Sequence, residues 1–328
     1  MKRSLGLLSI GSIAVAAMVA LSIQAGCASD EDPATSGGSG GGTAGAAGST
    51  TGGTGGGTAG VAGTGGSTTG GTGGGSAGEG GTGGGSANCP VGQSSTIGDV
   101  ADGNVAMGIQ VDIKGAIAET KKMVVYFGKA KGSCMWGVFV RDPTADRGMM
   151  VYSYGDNAPE NTSSDQCPTG TDDIAEGIKP GDVLDIIGQT DEYAPSSCTN
   201  APAKQKQIEA CSVTVASSGA EPTPVVVSDL DALAAGAAQY QGLLVKIENV
   251  DAENFDGGTV GPYGIIELQN TDLQVNDKFY YGETGAPEFD PSQHFNSIVG
   301  IVHLDYCDWV LQPRDKCTDF DPSSKGCL

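Results

Sequence analysis

The chain has 328 residues, 55 of them glycine, and 27 of those glycines fall within residues 33–88 around a single charge, Glu79. Such a segment has too little apolar surface to form a core, which leaves residues 89–328 as one large folded part or two small ones. That part keeps 15 of the 17 basic and 35 of the 39 acidic residues, a net charge of −20. So negative a surface repels phosphate backbones, and nucleic acid reads as a disfavoured partner.

Lys2 and Arg3 precede an uncharged run, residues 4–23, rich in Gly, Ser and Ala. A basic start, an apolar run and small residues before a cysteine read as a cleavable export signal rather than a membrane span. Ile23-Gln24-Ala25-Gly26-Cys27 resembles the lipobox of bacterial lipoproteins, with Gln24 where Leu, Val or Ile is usual. The resemblance implies lipidation at Cys27 and an N-terminal anchor in a membrane, the outer membrane or cell surface, with secretion or a periplasmic location as the alternative. Residues 1–27 are then signal and anchor point. Residues 28–88, in which Thr-Gly-Gly-Thr-Gly-Gly-Gly occurs at 51–57 and again at 69–75, are a flexible tether.

The folded part reads as mostly β. Short runs rich in β-branched and aromatic residues, punctuated by Gly, Pro, Asn and Asp, predict strands at 109–114, 122–127, 136–141, 149–154, 182–188 and 204–215. One helix is predicted from a Ser228 or Asp229 cap through Leu230, Leu233 and Ala237. A second strand series follows at 242–250, 263–269, 278–281, 297–304 and 309–312. The two series share patterns, such as Gly108-x-x-Val111-x-Ile113 and Gly242-x-x-Val245-x-Ile247, which indicates an internal duplication. The expected fold is therefore all-β, two tandem OB-like five-stranded barrels over residues 89–227 and 228–328, the second including the linking helix.

Eight cysteines lie in this part: Cys89, Cys134, Cys167, Cys198, Cys211, Cys307, Cys317 and Cys327. In an exported protein an even set without a C-x-x-C pair predicts disulfides, with connectivity left open.

The segments Trp136-Gly137-Val138-Phe139-Val140-Arg141-Asp142, Lys179-Pro180-Gly181-Asp182-Val183-Leu184-Asp185-Ile186-Ile187-Gly188 and Asp191-Glu192-Tyr193 resemble OB-fold modules of bacterial extracellular proteins. Such modules occur in tandem in surface lipoproteins and before secreted nucleases. The resemblance spans residues 105–320, and no nuclease domain follows them.

No constellation for catalysis stands out. There is no G-x-S-x-G elbow. His303 and Asp305 share a strand face, a pair that suits a structural hydrogen bond as well as general-base work. Asp251-x-Glu253-Asn254-x-Asp256-Gly257 has the composition of a calcium loop, but Phe255 takes the fifth position and no Glu closes it. The sequence calls for no metal and no cofactor. Ligand contacts are assigned to aromatic and basic side chains on the barrel faces: Tyr126, Phe139, Arg141, Tyr263 and Tyr280. The functional expectation is a non-enzymatic, surface-anchored lipoprotein that binds a protein or polysaccharide. The alternative is an accessory or remnant module of an extracellular nuclease system that binds nucleic acid.

Overall fold

The computed structural model describes residues 89–128, 131–195, 204–255, 257–280 and 285–327. The expected signal, Cys27 and the tether lie outside them, as does Cys198. Among the described residues no helix is long and apolar enough to cross a membrane.

The first sheet comprises β1 (Gln93–Ser95), β2 (Gln110–Ala118), β3 (Met123–Gly128), β4 (Ser133–Arg141), β5 (Gly148–Tyr154), β6 (Val183–Tyr193) and β7 (Gln205–Ser217). Their order is β1-β2-β6-β7-β5-β4-β3. The β1–β2 and β5–β7 pairings are parallel and the others antiparallel. The end of β2 also pairs with β4 through Ile117↔Arg141 and Ala118↔Val140. Between β1 and β2, helix α1 (Ile97–Ala101) starts on a reciprocal cap made by Thr96 and Asp99.

The second sheet comprises β8 (Val225–Val226), β9 (Leu244–Asp251), β10 (Ile266–Glu267), β11 (Gln274–Val275), β12 (His294–Asp305), β13 (Asp308–Gln312) and β14 (Phe320–Asp321). It runs β10-β11-β13-β12-β9-β8, with β14 paired to β12. Helix α2 (Leu230–Ala234) precedes β9, and its predicted cap Asp229 accepts the Ala232 N–H at 3.0 Å.

The expectation of two five-stranded barrels is corrected by this pairing: the fold is all-β, with two mixed sheets of seven strands each. Two segments that read as strands are largely turns. Residues 262–264 form a 3-10 turn with Tyr263 at φ 62°, leaving only Ile266–Glu267 extended, and residues 278–280 are turn. Conversely, β1, β8, β11 and β14 are only two or three residues long and add to the sheets without any readable alternation. A period-2 pattern reports a pleated, half-buried segment but not which strand it pairs with.

Each sheet buries one face on its own core. The first core gathers Val111, Ile113, Val138, Val151, Ile186 and Ile208, and the second gathers Val245, Ile247, Phe295, Ile298, Val302 and Leu311. A third cluster joins the sheets. Met123, Val125, Phe139, Met150 and Tyr152 from the outer face of the first sheet meet Leu244, Ile301 and Phe279. The Phe139 ring lies 5.4 Å from both Phe279 and His303.

Polar groups cross the same seam. Glu119, fully buried, accepts the Leu244 N–H at 2.9 Å and pairs with Arg141 Nε at 2.9 Å. Arg314, bonded to Asp319, donates to the Glu119 carbonyl at 3.1 Å. Backbones also touch there, because a Cβ on Gly242 would sit 2.7 Å from Met149 N and 2.8 Å from its Cα.

Disulfides Cys89–Cys211, Cys134–Cys167 and Cys317–Cys327 brace the fold, and Cys307 is disulfide-bonded as well. Each such bond adds about 2–4 kcal/mol in typical cases.

Two outcomes follow from the seam. Gly242 has φ 70°, so Gly242→Ala adds left-handed strain to a backbone clash. Unfolding in denaturant should show a loss of roughly 2–4 kcal/mol. The second concerns pH. Burial pushes the Glu119 carboxyl up to about 8 despite Arg141 and the Leu244 N–H. Its folded pKa lies above the ordinary 4.5, so the folded state keeps a proton that the unfolded chain releases, and stability is lost as pH rises through 8. Burial likewise raises Asp277 to about 6, while it lowers His303 to about 3, which removes stability in the opposite direction, below 6.5. Between pH 6.5 and 8 the Glu119 effect therefore stands largely alone, and stability should fall by about 2 kcal/mol. Glu119→Gln should flatten that window; an equal slope in the variant would refute the assignment.

Candidate functional site

The outer face of the first sheet extends beyond the seam. There, alternation along β5 aligns Met150, Tyr152 and Tyr154, of which the first two are covered and Tyr154 is 59% exposed. Strand register places Tyr126 opposite Met135, and Met135 opposite Tyr154, so two tyrosines flank one methionine across three neighbouring strands. With strands spaced near 4.8 Å, the two phenol-bearing backbones lie about 10 Å apart. The Tyr126 ring lies along the sheet beside Gly128, where a Cβ would lie 3.4 Å from its hydroxyl.

Around this pair the face is aromatic and acidic. The Tyr152 and Tyr154 rings meet edge to face at 5.7 Å. Tyr152 donates its hydroxyl to Asp191 at 2.8 Å, and Gln207 donates to the same carboxylate oxygen at 2.7 Å. Burial works to raise Asp191, but these donors hold it below the usual carboxylate range. Glu209, exposed and opposite Tyr152 in the β5–β7 pairing, joins burial in raising both the Tyr152 and Tyr154 phenols. Tyr193, at the end of β6, pairs with Gln205, whose Oε1 accepts the Leu304 N–H of β12 at 2.7 Å, so the β12–β13 hairpin borders the same face; burial, then Asp305, Tyr306 and Tyr126, raise the Tyr193 phenol. Tyr306, 76% exposed at φ 52°, occupies the two-residue turn of that hairpin. Lys278 pairs with Asp305 at 2.6 Å, and Lys204 pairs with Glu192, beside Tyr193, at 2.5 Å.

Of the residues singled out in the sequence, Tyr126 lies on this face. Phe139 does not: it is fully buried between the sheets, so it offers no ring to a ligand. Arg141 is occupied by Glu119 and donates to the Thr223 carbonyl at 3.0 Å. It borders a separate cleft of about 300 Å³ with Asp142, Thr144 and Asp146. Tyr263 is 92% exposed on its turn, whereas Tyr280 is buried in the second core. His303 is buried against Phe139 and Phe279 with no hydrogen bond at Nδ1, and Asp305 bonds Lys278 and Asn276 instead. His294 pairs with Asp251 at 2.8 Å. Among the described residues no group of three or more His, Cys, Asp or Glu is arranged to hold a metal ion.

Tyr154, Tyr193 and Tyr306 were not singled out from the sequence. The i, i+2 spacing of Met150, Tyr152 and Tyr154 signals one shared face, but only the pairing of β3, β4 and β5 brings Tyr126 to it.

No protein-family model matches the chain, and no curated protein matches it. Two solved structures overlap it in part. An aspartyl-tRNA synthetase from Leishmania major Friedlin is 11% identical at a TM-score of 0.24, over 42% of this chain and 23% of that one. An aspartyl-tRNA synthetase from Entamoeba histolytica is 16% identical at a TM-score of 0.22, over 41% of this chain and 23% of that one. The chain thus spans about a quarter of the length of either. The acidic total does not by itself make nucleic acid a disfavoured partner, contrary to the expectation from the sequence. Net charge is a sum over the whole surface and does not set the chemistry of one face.

Proposed function

We propose that the folded part is a non-catalytic binding module that takes its partner on the tyrosine face. The observation that carries this reading is the strand register that sets Tyr126 and Tyr154 either side of Met135, with Tyr193 and the Tyr306 hairpin bordering the same exposed face. Phenol rings fixed on strands give contact area at a small entropic cost and stack on any flat ring. Single-stranded nucleic acid supplies such rings as bases, each stacking contact contributing about 1–3 kcal/mol. Lys204 and Lys278 lie at the border of the face, each paired with a carboxylate that a phosphate would have to displace. A polysaccharide supplies sugar rings, and its hydroxyls suit Glu209 as an acceptor.

Titration of residues 89–328 with oligothymidine and with neutral glycans, following protein fluorescence, separates these chemistries. Tyr154→Ala and Tyr126→Ala should each weaken the ligand that binds by roughly 5- to 150-fold. Steep weakening with added salt identifies nucleic acid, and indifference to salt identifies the glycan. Equal binding by wild type and both variants would overturn the tyrosine face as the site.

We propose further that the chain is exported and held by a lipid on Cys27, with residues 28–88 as tether. The signal-like residues 1–27 support this, and so do the disulfides, which persist in oxidising compartments. Cys27→Ala should move the protein from the membrane to the soluble fraction of cells expressing it. Retention of the variant in the membrane fraction would remove the anchor from this reading.

A further inference from the structure

Beneath the first core lies a cluster the binding face does not use. Lys122, at the entry to β3, has a side chain only 4% exposed, and its Nζ lies 2.7 Å from Oδ2 of Asp172, which is fully buried. The same Nζ lies 2.5 Å from Glu176 Oε1 and donates to the Ile174 carbonyl at 2.9 Å. The Trp136 ring caps the group, its centroid 4.9 Å from Nζ. Asp172 is held from one side only: Oδ1 accepts the Ile174 N–H at 2.9 Å. Oδ2 has the lysine beside it but no donor in hydrogen-bond geometry. Glu176 is fixed in turn by the Gly170 N–H at 2.8 Å, and its side chain is 44% exposed.

We propose that Lys122 and Asp172 condense into an intramolecular amide, with Glu176 as the proton carrier. Two opposite charges buried together each lose their hydration, and their attraction repays that loss incompletely. Conversion to an amide removes both charges. The reaction starts as Glu176 takes a proton from Nζ. Glu176 passes that proton to Asp172 Oδ2, and the amine lone pair attacks Cγ of the now neutral carboxyl, forming the N–C bond while the Ile174 N–H holds the charge developing on Oδ1. Nζ loses a second proton, which Glu176 also relays to Oδ2, so the C–O bond breaks and Oδ2 leaves as water. An ammonium and a carboxylate become an amide and one water, Glu176 ends as it began, and nothing is oxidised or reduced. The product keeps the contacts already present. Oδ1 becomes the amide oxygen on the Ile174 N–H, and the amide N–H faces the Ile174 carbonyl. Burial keeps bulk water from the reacting atoms, fixed proximity replaces an encounter, and Glu176, at the surface, borders the way out for water.

The test is mass spectrometry of the full chain after reduction and denaturation. Wild type should be lighter by one water than its processed sequence, and proteolysis should release a branched peptide joining Lys122 to Asp172. Lys122→Arg and Asp172→Ala should both have the full mass. Glu176→Gln leaves the buried pair in place, so it should fold and yet show little or none of the bond. Wild type at full mass, with Lys122 and Asp172 in separate unmodified peptides, overturns the proposal. A branched peptide as abundant in Glu176→Gln as in wild type removes Glu176 from the mechanism.

Discussion

The packing of one sheet over part of the other sheet's outer face is the constraint from which the remaining architecture follows. Phe139 makes the point. It projects from the middle of β4, away from the core beneath its own sheet, and would be exposed if the first sheet stood alone. Phe279, His303 and Ile301 cover it. Apolar contact is non-directional and tolerates sliding. Registry comes from the polar groups set into it: the Glu119 carboxyl spans from Arg141 on β4 to the backbone of β9, and Arg314 reaches back to the Glu119 carbonyl. Shifting the sheets by one residue would strand a buried carboxyl without its donors, an arrangement far costlier than a lost apolar contact.

The same packing creates the tyrosine face by leaving off. Along β5, Met150 is covered, Tyr152 is covered but turns its hydroxyl to Asp191, and Tyr154 emerges. One strand passes from seam to surface within five residues, and its aromatics change from core to contact side chains without any change in residue type. The anchoring of Tyr152 matters for its exposed neighbour, because the edge-to-face contact seats Tyr154 on a ring that is itself tied down. The side chains of this face have thus already given up much of their rotamer freedom.

Much of this was legible in the sequence at the level of local structure. Alternation located most of the long strands, and the capping propensity of Asp229 located α2. The repeated Gly-x-x-Val-x-Ile pattern corresponds to a shared backbone event, since Gly108 and Gly242 both take positive φ just before a strand whose Val and Ile are buried. What alternation cannot convey is what covers a face. Phe139 and Tyr126 looked equivalent on that criterion, both aromatic on strands of one sheet, and they differ only because the second sheet lies over one of them. Nor does it register strands of two residues, which is why the sheets are larger than the sequence suggested. Tyr263 misled for a third reason: it sits in a β-like run, but Pro262 and the positive φ at Tyr263 itself turn the chain there.

The connection between β5 and β6 shows how these levels meet. It carries only one short 3-10 turn, Ser164–Gln166, and a long segment without regular structure has few backbone hydrogen bonds to hold it. It is held instead at discrete points. Cys167 ties it to Cys134 at the start of β4, Ile174 bridges to Val213 of β7, and Asp172 and Glu176 grip Lys122 at the head of β3. Each tie lands on a different strand of the first sheet, so the segment closes over the end of that core and shelters Trp136 and Ile174 from water. A segment held at so few points is a natural point of entry for a protease. Covalent ties answer that hazard better than non-covalent ones, because a disulfide or an amide survives a local opening and shortens the path back. The placement of the buried lysine pair, on the one long connection of the first sheet and beside a disulfide that already serves it, is what links the chemistry proposed for that pair to the environment in which the protein is proposed to work.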